Sequence, residues 1–367
     1  MNFDLTDEQQ AIQELTAQVF SGATSPETVE AVERSADRFD RDLWAKLAET
    51  GLLGVAVPEA HGGLGFGSLE TALVLEGHGR SSSPMPLLET IVAARAIAAH
   101  GSAEQQGALL SGVADGSIVL SIALEDWGAN DPSRSGVTAS LNGDQVTLSG
   151  SKPGVAGTAD AAAIVVSVDT GSGLAFALVD PKADGVSLTT DESTAWSLDA
   201  TLNFDGTTIG ADALFGDADA VDWAVQQAQV GNAAYVLGAC EQAIATTVEH
   251  ANSREQFGKP LAQNQAYTQR LASAAIDVDC IRVSVVQAAW LLDEGLPAGD
   301  EVLMAAWWAS DAGLRVVHTT QHLHGGMGAD ITYPVHRHFL GVKQRAITLG
   351  CASSHLARLG ARIAVAG

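Results

Sequence analysis

Two long helical segments of the chain are joined by the stretch Arg254-Glu255-Gln256-Phe257-Gly258-Lys259-Pro260-Leu261. The sequence pattern is helical on both sides of it, over Ala224–Asn252 and Gln265–Leu292. Two more helical segments follow, Asp300–Leu323 and a final one that ends at Ala364. Because four long antiparallel helices form a bundle with its own core, we predict a C-terminal four-helix bundle over residues 213–367.

The first part of the chain, residues 1–116, also carries helical signals. Thr6 and Gln9 form a capping box, which marks a helix N-terminus. Pro86 opens another helix, because proline is tolerated at a first helical position. In between, three apolar residues share one helical face: Leu43, Trp44 and Leu47. The sequence therefore predicts an N-terminal α-helical domain.

Between these helical regions, residues 117–212 read as a middle β-domain. Short β-rich runs follow one another closely: Ile118–Leu124, Val137–Leu141, Val146–Ser149, Ile164–Val168, Leu174–Val179 and Thr201–Phe204. Asn142-Gly143 between two of them is a strong hairpin signal. The predicted fold class is α+β and multidomain, with a middle antiparallel β-domain, a small barrel or sandwich, between two helical domains.

Composition excludes several functions. Nineteen basic against 44 acidic residues give a formal charge of −25, which argues against nucleic-acid binding. The cysteines, Cys240, Cys280 and Cys351, lack metal-ligand spacing and read as reduced thiols. No basic segment followed by an apolar run opens the chain, and no apolar run is long enough to span a membrane. We therefore expect a cytoplasmic protein.

Histidines are too dispersed to predict a metal site. His61, His250, His336 and His338 lack paired cysteine or carboxylate spacing. We interpret them as surface or helix-end residues.

Three motifs carry a resemblance to a known family. The first is the Gly-rich run Val57–Gly67, the second is Arg254–Leu261 with Gln265, and the third is His322–Gly328 leading to Tyr333–Arg337. In this order and spacing, over essentially the whole chain, they resemble the acyl-CoA dehydrogenase family. That family forms tetramers built as pairs of dimers, and each FAD lies across a dimer interface.

The resemblance implies that the second and third motifs contact a partner's flavin. A pyrophosphate needs an arginine and close backbone amides, which Arg254 and Gly325-Gly326 could supply, while Phe257 could pack against the adenosine. The candidate FAD-binding residues are Arg254, Gln256, Phe257, Gln265, His322, His324, Gly325 and Gly326. The alternative is that Arg254 caps a helix C-terminus and the glycines only end a helix.

The resemblance also implies a catalytic glutamate, which this chain lacks. Family chemistry removes an α-proton with a carboxylate and transfers the β-hydrogen as hydride to the flavin. The two family positions of that glutamate fall on Leu349 and Ala228. No immediate neighbour of either residue is acidic, so a register error of one would not restore the base.

Further departures lie on the same side of the site. The family's flavin-wrapping run corresponds to Leu124–Asp131, without its usual Thr-Glu-Pro and Gly-Ser residues. The family's tryptophan and hydroxyl over the flavin ring are missing from Lys152–Gly157. Cys351 replaces the threonine after the usual Glu-Gly, and His322 replaces a glutamine of the third motif. The residues with which a subunit binds its own flavin are largely lost from this chain. The residues with which it contacts the partner's flavin across the interface are largely kept.

This one-sided loss resembles the non-catalytic subunits of actinobacterial heterotetrameric acyl-CoA dehydrogenases of steroid side-chain degradation. The resemblance implies a homologous catalytic partner, a heterotetramer, FAD, an acyl-CoA substrate at the complex and an electron-transfer flavoprotein as electron acceptor. Two alternatives remain open. One is a self-sufficient flavoenzyme with a displaced base at Glu241 or Asp222, and the other is a structural subunit that binds no flavin.

Overall fold

The structure is a computed structural model that describes residues 3–128 and 134–366. Six helices precede the strands in the described residues: α1 (Asp7–Ala23), α2 (Pro26–Glu33), α3 (Arg41–Glu49), α4 (Ser68–Ser81), α5 (Leu87–His100) and α6 (Ala103–Ala114). The predicted capping box is confirmed, since Thr6 and Gln9 exchange both hydrogen bonds. Pro86 is the N-cap of α5. The predicted apolar face of α3 is buried.

Eight described strands form one sheet: β1 (Val119–Ala123), β2 (Val137–Asn142), β3 (Gln145–Ala156), β4 (Ala161–Asp169), β5 (Leu174–Val179), β6 (Val186–Glu192), β7 (Leu198–Gly210) and β8 (Leu214–Phe215). Their order is β6-β7-β3-β2-β4-β5-β8, with β1 beside β4. The predicted hairpin is confirmed, because Asn142 pairs with Gln145 across Gly143, whose φ is +62°.

The sheet is mixed, whereas the sequence predicted antiparallel pairing. β1 runs parallel to β4, and one bridge between β2 and β4 is also parallel. The physical reason is that β1 follows α6 directly and no hairpin joins it to its neighbour, so local turn signals do not fix its direction. The other strand pairs in this sheet are antiparallel.

Five helices follow the sheet in the described residues: α7 (Ala218–Ser253), α8 (Gln265–Asp293), α9 (Gly299–Leu323), α10 (Val335–Arg345) and α11 (Ala352–Ala366). The predicted single final helix is wrong, because it is interrupted between α10 and α11. Leu349 has a φ of +59° and Gly350 a φ of +111°, and neither value is compatible with a right-handed helix.

The chain divides into two compact units. One unit contains residues 1–29, 72–83 and 229–367, and the other contains residues 30–71 and 84–228. The division into three domains at residues 116 and 212 stays a prediction. Among the described helices, none combines the length and the apolar character needed to cross a lipid bilayer.

Helices α4 and α7 approach each other through glycine backbone in the first unit. A Cβ atom on Gly238 would lie 1.8 Å from the carbonyl oxygen of Glu76, and one on Gly79 would lie 1.9 Å from that of Tyr235. Real Cβ atoms do not come this close to backbone oxygens, so a side chain at either position would force the helices apart.

We expect Gly238→Ala to lower the free energy of unfolding by about 3 kcal/mol, because the added methyl overlaps a backbone oxygen that has little room to move. Gly360→Ala in α11 is the matched control. A Cβ there meets nothing within 4 Å, so the helix-propensity gain of about 0.5–1 kcal/mol should be realised. Chemical denaturation measures both variants, and equal stabilities would contradict the glycine-mediated crossing.

Candidate functional site

The second motif forms an exposed hairpin after the end of α7. Strands β9 (Glu255–Gln256) and β10 (Lys259–Pro260) pair in antiparallel fashion, and the Leu261 amide donates to the Arg254 carbonyl at 2.9 Å. Phe257 at its tip is fully exposed and has a φ of +55°. A bulky residue in the left-handed region is uncommon. The hairpin therefore presents an aromatic ring to the outside of its own chain.

The third motif forms a short turn after α9. Gly325 has a φ of +60° and follows the C-cap residue His324, so it does end the helix. A Cβ atom on Gly325 or Gly326 would meet nothing within 4 Å. The chain itself therefore leaves the surface over both glycines open. A group from outside can approach their backbone closely.

The structure brings these two motifs together in one unit. The rings of His250, in the last turn of α7, and His324 lie 4.6 Å apart. The side chains of Tyr267 and Leu323 belong to one apolar cluster. The end of α7, the start of α8 and the end of α9 thus share a common core beneath the exposed residues.

His324 differs from the other candidate residues because its side chain points inward. It is 4% exposed, its Nδ1 lies 2.8 Å from the Thr320 carbonyl oxygen, and its ring contacts Tyr333. Burial lowers the pKa of His324. The other seven candidates are exposed: Arg254, Gln256, Phe257, Gln265, His322, Gly325 and Gly326. His324 therefore supports the turn from beneath.

Arg254 does not cap α7 through its side chain. Its backbone amide donates to the His250 carbonyl at 2.9 Å, as in a continuing helix. Its guanidinium makes no hydrogen bond or ion pair within residues 3–128 and 134–366. The charge is therefore available to an external anion.

The two positions at which the sequence predicts the family's base hold no ionisable side chain. Leu349 lies in the break between α10 and α11, and its carbonyl accepts from Gln229 Nε2 at 3.3 Å. Ala228 is buried in α7. Neighbouring Gln227 is neutral and accepts a hydrogen bond from Ser68 at 3.0 Å. Neither position can remove a proton.

The two candidates for a displaced base are otherwise engaged or exposed. Glu241 forms ion pairs with Arg80 and Arg282, and Glu76 pairs with the same two arginines. Asp222 is exposed and accepts from Gln226 Nε2 at 2.6 Å. A carboxylate held by two guanidiniums is a poor proton acceptor.

A buried ion pair lies in the β-domain segment that the sequence resemblance matches to the family's flavin cover. Lys152 is fully buried, and its Nζ lies 2.8 Å from Asp126 Oδ2 and 2.9 Å from Ser167 Oγ. Burial lowers the pKa of Lys152, and Asp126 opposes that shift. Trp127 is exposed and donates to Ser151 at 3.1 Å. Ala129, Asn130 and Asp131 of the flavin-wrapping run lie outside the described residues.

Two features beside Leu349 would not have been found from sequence patterns. Cys351 Sγ lies 3.1 Å from the Ser353 hydroxyl, and this hydrogen bond, together with others from Ser354 and the Ser353 backbone, lowers the pKa of the thiol to about 7. His355 is buried beside Gly350, and burial together with the charge of Arg358 lowers its pKa to about 4. The lowered pKa of His355 depends on its burial by tertiary packing, for which the sequence gives no local signal.

Comparison with known proteins identifies the family. The N-terminal domain of acyl-CoA dehydrogenases matches residues 6–117, and the C-terminal domain matches residues 218–364. The chain belongs to the acyl-CoA dehydrogenase family. Members of this family are FAD-dependent oxidoreductases that act on CH–CH bonds.

Several relatives are similar over nearly their whole length. The acyl-CoA dehydrogenase FadE27 of Mycobacterium tuberculosis is 36% identical, over 99% of both chains. A variant of the Tcur3481-Tcur3483 steroid ACAD matches with a TM-score of 0.94 and 42% identity, over 98% of both chains. The ChsE4-ChsE5 complex from Mycobacterium tuberculosis matches with a TM-score of 0.94 and 36% identity, over 99% of both chains.

The observed surface fits part of an FAD. An unpaired guanidinium, an exposed aromatic ring and two glycines with open space above them suit a pyrophosphate and an adenosine. All of them face away from their own chain. Ala228 and Leu349 have apolar side chains, so neither could act as the base of the reaction.

We expect the free energy of unfolding to fall by about 3 kcal/mol from His355 alone as the pH decreases from 6.5 to 4. The sign follows because the folded-state pKa of about 4 is below the unfolded value of 6.5, so the unfolded chain binds the additional proton. His355→Gln should flatten this pH dependence. The exposed His322→Gln is the control, and equal slopes for the two variants would contradict the assignment.

Proposed function

We propose that this chain is the non-catalytic subunit of a heteromeric FAD-dependent acyl-CoA dehydrogenase. It completes the FAD site of a homologous catalytic subunit and supplies no base of its own. The observation that carries the proposal is the one-sided distribution of its site residues. Seven of the eight residues expected to face a partner are exposed and the motifs that carry them are largely kept, while both predicted base positions are occupied by apolar residues, Leu349 and Ala228.

The exposed motifs support a role across an interface. The Arg254 guanidinium would pair with the pyrophosphate of the partner's FAD, because a charge-assisted hydrogen bond to phosphate is among the stronger polar contacts. Phe257 would pack on the adenosine, and the open backbone at Gly325-Gly326 would allow close approach. When bound in the partner, FAD supplies the hydride acceptor. The residues of this chain only bind and orient it.

The β-domain segment around Lys152 supports the proposal that this chain has lost its own flavin site. In the family, a tryptophan and a hydroxyl follow the lysine that corresponds to Lys152. Here Pro153 and Gly154 follow it, and Lys152 itself is tied to Asp126 inside the domain. The segment is therefore organised by an internal ion pair rather than around a ring system.

The relatives support the assembly and suggest the substrate class. ChsE4 and ChsE5 form a complex, and the Tcur3481-Tcur3483 protein is a steroid ACAD. By analogy, the substrate of the complete complex is the CoA thioester of a steroid side chain or another bulky acyl group. An electron-transfer flavoprotein would be the electron acceptor of the complete complex.

Two other functions are less well supported. A self-sufficient enzyme would need Glu241 or Asp222 as base, but the first is held by two arginines and the second is exposed. A flavin-free structural subunit would have no use for the open surface at Arg254 and Gly325-Gly326.

The decisive experiment is to purify the chain alone and co-expressed with a homologous catalytic subunit, and to measure flavin absorbance per protein. We expect flavin-free protein alone and about one FAD per two chains in the complex, because each site needs one subunit of each kind. A yellow protein alone whose flavin is bleached by an acyl-CoA would overturn the proposal.

Within the complex, we expect Arg254→Ala to lower FAD affinity about 10- to 100-fold, because one charge-assisted hydrogen bond to phosphate is lost. Arg254→Lys should recover part of the affinity. The exposed Arg34→Ala is the control for loss of one positive charge. FAD retained through gel filtration and dilution measures all three, and unchanged retention in Arg254→Ala would favour the flavin-free structural subunit.

A further inference from the structure

Helix α8 carries a row of residues on its outward face at alternating spacings of four and three. We call this row the outer seam: Ala272, Ile276, Asp279, Val283, Val286 and Trp290. Ile276 is 64% exposed and Val283 is 48% exposed. Such spacing is that of a helix that packs along its length against a second helix.

The inward face of α8 carries a similar row of residues, and that row is packed against another helix. Its row has the same alternation of four and three: Tyr267, Leu271, Ala274, Val278, Ile281, Val285 and Ala288. This inner row is largely buried, and α8 packs against α9. The outer seam is therefore a second packing surface on the same helix: Ala272, Ile276 and Val283 are exposed in the isolated chain, and Val286 and Trp290 are half-buried.

Asp279 is the one charged residue of the outer seam. Among the described residues, its carboxylate has no ion-pair partner. The nearby acid Asp277 is bound by Arg315, at 2.8 Å. Arg282 flanks the seam, but it is bound by Glu241 and Glu76. A helix that covers the seam must therefore supply its own cation opposite Asp279 or leave a carboxylate buried without one.

The need for a cation opposite Asp279 disfavours a second copy of α8 as the covering helix. Asp279 is the middle residue of α8, which runs from Gln265 to Asp293. When two copies of one helix cross antiparallel at their centres about a twofold axis, the central residue meets its own copy. Two Asp279 carboxylates would then face each other, and the formal charge of −25 on each chain adds to the repulsion.

We propose that the outer seam docks a helix of the homologous catalytic subunit that presents Lys or Arg opposite Asp279. In this arrangement Asp279 is a specificity residue that favours pairing with that subunit over pairing with a second copy of this chain. The identity of the partner rests on the proposed function. The chemistry of the seam rests on its spacing and its single charge.

The test uses a second copy of the full chain as a partner of known chemistry. Sedimentation equilibrium is measured for wild type, for Asp279→Lys and for their equimolar mixture. We expect the mixture to associate at least about tenfold more tightly than either protein alone, because only the mixture pairs opposite charges at the seam. The gain should shrink at high salt, which screens the pair.

Two further variants separate the seam from general charge effects. Glu14→Lys makes the same charge change at an exposed site on α1, so its mixture with wild type should show no such gain. Ile276→Asp in both members should abolish association in the Asp279→Lys mixture. Equal association of wild type alone and the mixture, or an equal gain with Glu14→Lys, would overturn the proposal.

If the chain does not fold alone, the co-expressed complex decides. Asp279→Lys should then lower recovery of the heteromer far more than Glu14→Lys does, and equal recovery would overturn the proposal. Flavin content is read separately in the same preparations. A chain that carries its own reducible FAD would refute the proposed function, whereas equal recovery with normal flavin content would refute only the role of the seam.

Discussion

Helices α4 and α7 meet where neither backbone has room for a side chain. Gly79 and Gly238 allow this contact, and it brings α4 and α7 close enough for Glu76, Arg80 and Glu241 to share ion pairs. The same contact anchors the middle of α7, whose C-terminal end leads directly to the exposed hairpin. Because α7 is fixed in this way and its end shares an apolar cluster with α8 and α9, the hairpin can hold an exposed ring.

The ion pairs at this crossing also limit what the chain can do chemically. A carboxylate between two guanidiniums is stabilised in its charged form and has little tendency to take up a proton. Glu241 therefore contributes to helix packing, and only removal of both Arg80 and Arg282 would take away the two ion-pair partners of this largely buried charge. The chain thus retains charged residues on its long helix but has none at the two positions predicted for the family's base.

Much of the fold could be predicted because its signals are local. The capping box at Thr6 and Gln9 and the turn at Asn142-Gly143 depend only on neighbouring residues, and both were confirmed. The parallel pairing of β1 could not be predicted, because it joins segments far apart in sequence. Strand β6 was missed because its apolar alternation is limited to Val186 and Leu188, and the rest of the strand is polar and mostly exposed. The break at Leu349-Gly350 was missed because a single glycine is tolerated within a helical pattern.

The candidate site divides in the same way. Arg254, Phe257 and the paired glycines are visible as contiguous motifs, so their proximity in one unit followed from the resemblance. The inward orientation of His324 and the pairing of Lys152 with Asp126 depend on tertiary burial, which no local pattern reports.

The fully exposed Phe257 also affects how much of this protein can accumulate without its partner. Phe257, with Ile276 and Val283, gives an unassembled chain exposed hydrophobic surface of the kind that chaperones and proteases recognise. On the proposed assembly, any surplus over the catalytic subunit is therefore a substrate for degradation. The abundance of this chain would be set by its partner's rate of synthesis, and matched production of the two subunits becomes a physical requirement.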